Sequence, residues 1–190
     1  LTLENIRADN NWLLKRAAAL GHAEMCSFLM RLCFAQGQCI NSHMYSGCNS
    51  GLTLNDIRSS GAFIDAALNG HVNVLVFFKN WYESIEGRNT MAGLTLADVR
   101  AENNRALRVS ATNGHMDVLK FLKDWQDPNG DKLTIEDVKT TDMFGKKDAA
   151  FVRAAQNGRI EVLKFLKDWQ DPNGDKLTIE DVRANKNEAF

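Results

Sequence analysis

The stretch RALRVSATNGHMDVLKFL, residues 105–122, decides the fold. Small and apolar residues between Ala106 and Ala111 recur at helical spacing and form a narrow face. The pair Asn113-Gly114 then ends that helix, because glycine adopts the left-handed C-terminal conformation without a Cβ penalty. The apolar residues from Val118 to Trp125 form the wide stripe of a second helix. The stretch therefore predicts two antiparallel helices joined by a tight turn.

The same pattern occurs four times in the chain, and a fifth copy begins near its end. A phrase of the type Leu-Thr-Leu/Ile-x-Asp/Asn-Ile/Val-Arg/Lys opens each copy, and residues 118–138 are identical to residues 162–182 over 21 positions. One helix pair cannot bury its apolar face alone, so such copies stack as a one-dimensional array. We predict one repeat domain over residues 1–190. Its repeats are 1–51, 52–93, 94–132 and 133–176, with a partial repeat at 177–190.

The opening phrase carries a helix-capping signature. Threonine is followed three positions later by aspartate, which is the arrangement of an N-terminal capping box. The pairs are Thr53/Asp56, Thr95/Asp98, Thr134/Asp137 and Thr178/Asp181, whereas Thr2 is followed by Asn5. We expect a brief helical turn at each phrase rather than a strand.

Residues 105–122 resemble the second half of the ankyrin repeat, whose pattern is Leu-His-x-Ala-Ala-x-x-Gly-His-x-x-Val-Val-x-Leu-Leu. The Leu position of that pattern is kept as Leu14, Phe63, Leu107 and Phe151, while the family's Thr-Pro start is absent. The resemblance implies an all-α fold, an ankyrin-like helix-turn-helix repeat solenoid. Because the phrases lengthen the spacing between helix pairs, we expect short helical turns in place of most β-hairpin fingers.

The resemblance implies a non-catalytic protein–protein interaction scaffold that binds its protein partner on the concave side, along the first helices. The candidate contacts are Trp12, Lys15, Arg16, Asp65, Arg105, Arg108 and Arg153. Each of these could equally be an ordinary solvated residue. Trp81, Trp125 and Trp169 continue the apolar stripes of the second helices, so we assign them to the core rather than to a partner.

The four cysteines lie between positions 26 and 48. Cys33, Cys39, His43 and Cys48 could complete a tetrahedral zinc site, which would give an alternative function as a zinc-stabilised binding module with residues 33–48 as its recognition surface. The spacing lacks a close Cys-x2-Cys pair, so a disulfide or free thiols remain alternatives, and no other cofactor is expected. Cys26 stands where other repeats have leucine and is expected to be a buried hydrophobe.

The segment that starts at Asp127 and recurs at Asp171 resembles a calcium loop. An EF-hand counted from Asp127 needs Gly at position six and Glu at position twelve, where Lys132 and Val138 stand, so the pattern favours a turn. The Gly-His pairs recur once per repeat, which favours hydrogen bonding at the turns over catalysis. We find no phosphate-binding loop, zinc-protease helix or nucleophile elbow, and so predict that the chain is not an enzyme and binds no small-molecule substrate.

The balance of charged residues excludes some classes of partner. The 23 Lys and Arg nearly cancel 24 Asp and Glu, which argues against nucleic acid and membrane surfaces. No secretory signal is seen, and we expect an intracellular, cytoplasmic protein. Its Leu-Thr phrases also resemble those of ankyrin-like arrays from large DNA viruses and intracellular bacteria, which implies that the protein could act in a host cell. The chain starts without Met and stops inside a helix of the fifth repeat, so we expect it to be cut from a longer array. An alternative function is therefore that of the interaction part of a larger protein whose activity lies elsewhere.

Overall fold

The computed structural model describes residues 3–32, 52–81, 83–84, 91–140 and 149–184. This part of the chain is all-α apart from one pair of two-residue strands. The elements are α1 Leu3–Ala19, α2 Ala23–Arg31, α3 Leu54–Ser60, α4 Ala62–Leu68, α5 Val72–Lys79, β1 Glu83–Ser84, β2 Met91–Ala92, α6 Leu96–Val99, α7 Ala101–Asn113, α8 Met116–Lys123, α9 Ile135–Lys139, α10 Ala150–Gln156, α11 Ile160–Asp168 and α12 Ile179–Ala184.

The chain divides into two compact units. The first contains residues 1–66 and 73–94, and the second contains residues 67–72 and 95–190. In the first unit, α1 packs on α2 and on α3. In the second unit, α7 packs on α8 and α10, and α10 packs on α11. The prediction of a single repeat domain over residues 1–190 stays a prediction.

The opening phrases form helical turns, as predicted. Capping boxes begin α3, α6 and α9, where the threonine side chain meets the N3 backbone and the aspartate side chain meets the threonine backbone. The strands β1 and β2 pair in antiparallel fashion, with Glu83 opposite Ala92, and they lie near the end of the second repeat, after α5. One strand pair thus precedes the phrase that opens the third repeat.

Two helices contain a left-handed turn that the sequence reasoning did not anticipate. Asp9, Asn10 and Asn11 in α1 have φ between 51° and 58°, and residues 102–104 in α7 have φ between 52° and 57°. Left-handed backbone costs most L-residues about 1–2 kcal/mol each, and Asn and Asp tolerate it best. Both turns have the local sequence Arg-Ala-Asp/Glu-Asn-Asn, so the paired asparagines were the signal for them.

The core confirms the apolar stripes read from the second helices. Trp125 and Trp169 are buried, and each ring lies edge-on to a phenylalanine one helical turn earlier. Trp81 is only half-buried. Cys26 is fully buried, and burial raises the pKa of its thiol to about 12, as befits an inert hydrophobic residue.

Candidate interaction surface

Successive phrases are linked by ion pairs. At three junctions that lie within the compact units, the basic residue that closes one phrase binds the capping aspartate of the next phrase. Arg7 donates to Asp56 through Nε and Nη2 at 2.9 and 2.8 Å, and Arg100 donates to Asp137 at 2.7 and 2.8 Å. Lys139 Nζ lies 3.1 Å from Asp181 Oδ1. Each of these aspartates therefore both caps its own helix and joins it to the preceding repeat.

The environment of these aspartates favours the charged form. Burial raises the pKa of Asp137, but hydrogen bonds from Arg100 and from the Thr134 backbone outweigh it and hold the pKa below its usual value. Burial likewise raises the pKa of Asp56, but the hydrogen bonds from Arg7 and Thr53 outweigh burial and lower that pKa below its usual value. A group with a depressed folded-state pKa stabilises the fold at neutral pH and loses that contribution in acid.

Replacing Asp137 by alanine should lower the free energy of unfolding at pH 7 by about 2 kcal/mol, because a cap and a charged hydrogen-bond pair are lost together. This difference from the parent chain should shrink as the pH falls below about 4, where the carboxylate becomes protonated. Urea unfolding followed by far-UV circular dichroism at several pH values measures both effects.

The matched control is Asp117→Ala. The Asp117 side chain is 86% exposed, and its Oδ1 lies as far as 4.0 Å from Lys120 Nζ. Because such an exposed, long ion pair contributes little, its removal should change stability by less than about 0.5 kcal/mol. Equal losses for the two variants, or a pH-independent loss for Asp137→Ala, would contradict the assigned role.

The loops that begin at Asp127 and Asp171 are closed by hydrogen bonds to a buried carboxylate. Asp127 Oδ1 accepts from the backbone N–H groups of Asn129 and Asp131 at 2.8 and 3.0 Å, and Oδ2 accepts from Leu96 N–H at 3.2 Å. Asp171 repeats this arrangement, with Ile135 in place of Leu96. These hydrogen bonds occupy the carboxylate oxygens that a calcium ion would need. The Asp-Pro-Asn-Gly-Asp segment is therefore explained as a turn that its first aspartate closes.

The Gly-His positions join neighbouring repeats. His115 Nε2 lies 2.9 Å from the carbonyl oxygen of Leu68, so the Nε2–H tautomer donates to the end of the preceding repeat's first helix. Gly70 has φ 80°, and a Cβ there would lie 2.7 Å from His115 Nδ1. In the fourth repeat Arg159 takes this place and donates from Nε to Thr112 O at 3.0 Å. The histidine thus bonds the turn of the preceding repeat.

The candidate contacts of the first compact unit lie on α1 and α4. Trp12 is 55% exposed and follows directly after the left-handed turn. Arg16, one helical turn further along α1, is also exposed, while Lys15 lies 3.8 Å from Asp65 on α4. The turn itself is held from both sides, because Arg7 binds Asp56 and Asn10 Nδ2 donates to Ser59 O at 3.0 Å.

The candidate contacts of the second compact unit make intramolecular bonds. Arg108 donates to the backbone carbonyls of Asn103 and Glu102, and Arg105 Nη1 lies 2.6 Å from the Glu102 carboxylate. Both side chains therefore brace the left-handed turn of α7. Arg153 is half-buried on α10. The sequence placed these residues on the first helices, but it did not show that two of them hold the backbone.

The proposed zinc ligands Cys33, Cys39, His43 and Cys48 lie outside the described residues. Within the described residues, no group of three or more His, Cys, Asp or Glu side chains is arranged to hold a metal ion. None of the described helices has both the length and the apolar character needed to cross a lipid bilayer.

No protein-family model matches the chain, and a search of curated proteins returns no significant match.

Proposed function

We propose that the chain is a non-catalytic, ankyrin-like repeat scaffold that binds a protein partner in the cytoplasm through the exposed surface of its first helices. The observation that carries this proposal is Trp12. It is a largely exposed indole fixed behind a left-handed turn that Arg7 and Asn10 tie to the second repeat. The few residues that contribute most of the binding energy in protein interfaces are enriched in Trp, Tyr and Arg.

The surroundings of Trp12 support a binding surface. Arg16 is exposed one turn along the same helix and adds a planar, bidentate hydrogen-bond donor beside the indole. An exposed tryptophan offers a large ring with a polar N–H, a combination that is enriched where proteins contact one another. The ion pairs between phrases support the repeat array, because each one couples a phrase to its neighbour.

The test is a capture experiment with two variants. The double variant Trp12→Ala/Arg16→Glu removes the proposed contacts, and these residues are chosen over Arg105 and Arg108 because the latter brace the backbone. The control variant Val76→Ala/Lys120→Glu makes matching changes at exposed positions on second helices. Each protein is immobilised, exposed to lysate of the native or host cell, and its retained proteins are quantified by mass spectrometry.

We expect a protein that the parent and the control retain and that the Trp12→Ala/Arg16→Glu variant loses by about tenfold or more. Its affinity is then measured by calorimetry with the purified partner. Equal retention by both variants would contradict the assigned surface, and failure of the parent to retain any protein would count against the scaffold function.

A further inference from the structure

The left-handed turn in α7 interrupts a stretch that could form one continuous right-handed helix. Residues 96–113 contain no proline or glycine and include four alanines, two leucines and three arginines, which all favour helix. The structure divides this stretch into α6 and α7, because Glu102, Asn103 and Asn104 have φ of 52°, 56° and 57°. Left-handed backbone is less populated than right-handed backbone by roughly five- to thirtyfold for each L-residue, with asparagine at the low end. Other contacts must therefore impose the turn.

A straight helix over residues 96–113 would keep a continuous apolar face. The buried residues Leu96, Val99, Ala106 and Ser110 stand at positions i, i+3, i+10 and i+14. At the spacing of an α-helix, these positions lie within about 80° of one another around the helix axis. The right-handed form is therefore an alternative that the sequence supports.

Buried hydrogen bonds on both sides of the turn favour the left-handed form. Before the turn, Leu96 N–H donates to Asp127 Oδ2 at 3.2 Å, which ties α6 to the loop that closes its own repeat. At the turn, Asn104 is only 4% exposed, and its Nδ2 donates to Asp137 Oδ1 at 3.2 Å and to Thr140 Oγ1 at 3.1 Å in the fourth repeat. A change of three φ angles by about 115° each would redirect α6 relative to α7. The two anchors therefore cannot both persist in a straight helix.

The local bonds across the turn support it less strongly. Arg108 donates to the carbonyl oxygens of Asn103 and Glu102 at 3.0 and 3.2 Å, and Arg105 Nη1 lies 2.6 Å from the Glu102 carboxylate. These contacts are exposed, and water competes there for the same donors and acceptors. They brace the turn once it has formed, whereas the buried bonds of Asn104 to the fourth repeat decide its handedness.

The other repeats show when such a turn occurs. In the second repeat the joint between α3 and α4 is Gly61 with φ 70°, and glycine adopts left-handed backbone without a Cβ penalty. In the first repeat the same Asn-Asn turn interrupts α1, and Asn10 Nδ2 donates to Ser59 O of the following repeat at 3.0 Å. The turns of L-residues thus occur where the following repeat bonds to the turn.

We propose that residues 96–113 form a two-state element whose handedness depends on the docking of the fourth repeat. While α9 is docked, Asp137 and Thr140 hold Asn104, and the turn stays left-handed. When α9 undocks, the turn converts to right-handed backbone, α6 and α7 become one helix, and α6 leaves the loop that closes its repeat. The turn thereby transmits the release of the fourth repeat to the opening phrase of the third. This proposal is independent of the binding function assigned to Trp12, because it concerns the backbone of the free chain.

The pair of variants Asn103→Gly and Asn103→Ala tests the handedness of the turn. Asn103 is exposed, so these substitutions act on the backbone preference. Glycine is favoured over alanine in a left-handed turn, and alanine over glycine in a right-handed helix, by about fivefold in each case. In the parent background, urea unfolding should give Asn103→Ala an unfolding equilibrium constant about fivefold above that of Asn103→Gly. In the background Asp137→Ala the order should reverse, because the docking bonds are absent and the helix straightens.

Two further measurements test the same conversion. The NMR coupling constant between the amide and α protons of Asn103 depends on φ, and it should change from a left-handed to a right-handed value when Asp137→Ala is introduced. The background Arg100→Gln removes the bonds of Arg100 to Asp137 and leaves the cap of α9 in place, which keeps the test available if Asp137→Ala does not fold. In that background the glycine preference at position 103 should fall by about twofold or more.

The control pair is Ser59→Gly and Ser59→Ala, at the equivalent position inside α3. Alanine should be favoured there by about fivefold in every background, as in an ordinary helix. A glycine preference at position 103 that is equal in all backgrounds would overturn the coupling to the fourth repeat. An alanine preference at position 103 in the parent chain would overturn the left-handed turn itself.

Discussion

Replacing Trp125 by alanine should lower the free energy of unfolding by about 4 kcal/mol. The indole is fully buried, and it packs against the ring of Phe121 in a T-shaped arrangement with the ring centroids 5.5 Å apart. Its removal would leave a large cavity that the neighbouring helices can close only in part. Urea unfolding followed by circular dichroism at 222 nm measures the change without relying on tryptophan fluorescence.

The control for Trp125→Ala is the same substitution at Trp12. Because the Trp12 side chain is 55% exposed, its loss should change stability by less than about 1 kcal/mol. Similar losses at the two positions would show that Trp125 is not a core residue.

Leu119→Ala should lower the free energy of unfolding by about 3 kcal/mol, whereas Leu163→Ala should lower it by only about 1 kcal/mol. Each of the two leucines is the second residue of one of the identical 21-residue segments, so their local sequences match. They differ in burial, since Leu119 is completely buried and Leu163 is half-buried. Equal losses, measured by the same unfolding experiment, would contradict this difference in packing.

Sequence periodicity alone would have assigned the same cost to both leucines. The spacing of apolar residues identifies which side of a helix faces the core, and it placed Trp125, Trp169 and Cys26 correctly. It does not say whether a neighbouring element covers that side. The burial of Leu119 and the partial exposure of Leu163 therefore required the structure.

The ion pairs between phrases could not be predicted from the sequence, although it contains every residue that forms them. Thr134 and Asp137 predict a helix cap because the cap is local. The bond from Arg100 to the same aspartate spans 37 positions, and no local rule predicts it. The left-handed turns lie between these cases, because paired asparagines permit the conformation but the bonds from Arg108 to the Glu102 and Asn103 carbonyls hold it in place.

The matching loops at Asp127 and Asp171 have a consequence for how the chain folds. Residues 118–138 and 162–182 offer the same side chains to their surroundings, and each closes its loop on the same kind of backbone partner. During refolding, either segment can first dock in the place of the other, since loop closure penalises the longer connection only weakly. Such a misthreaded chain must undock before it reaches the native register, so we expect a slow refolding phase whose amplitude falls when one loop is given a different sequence.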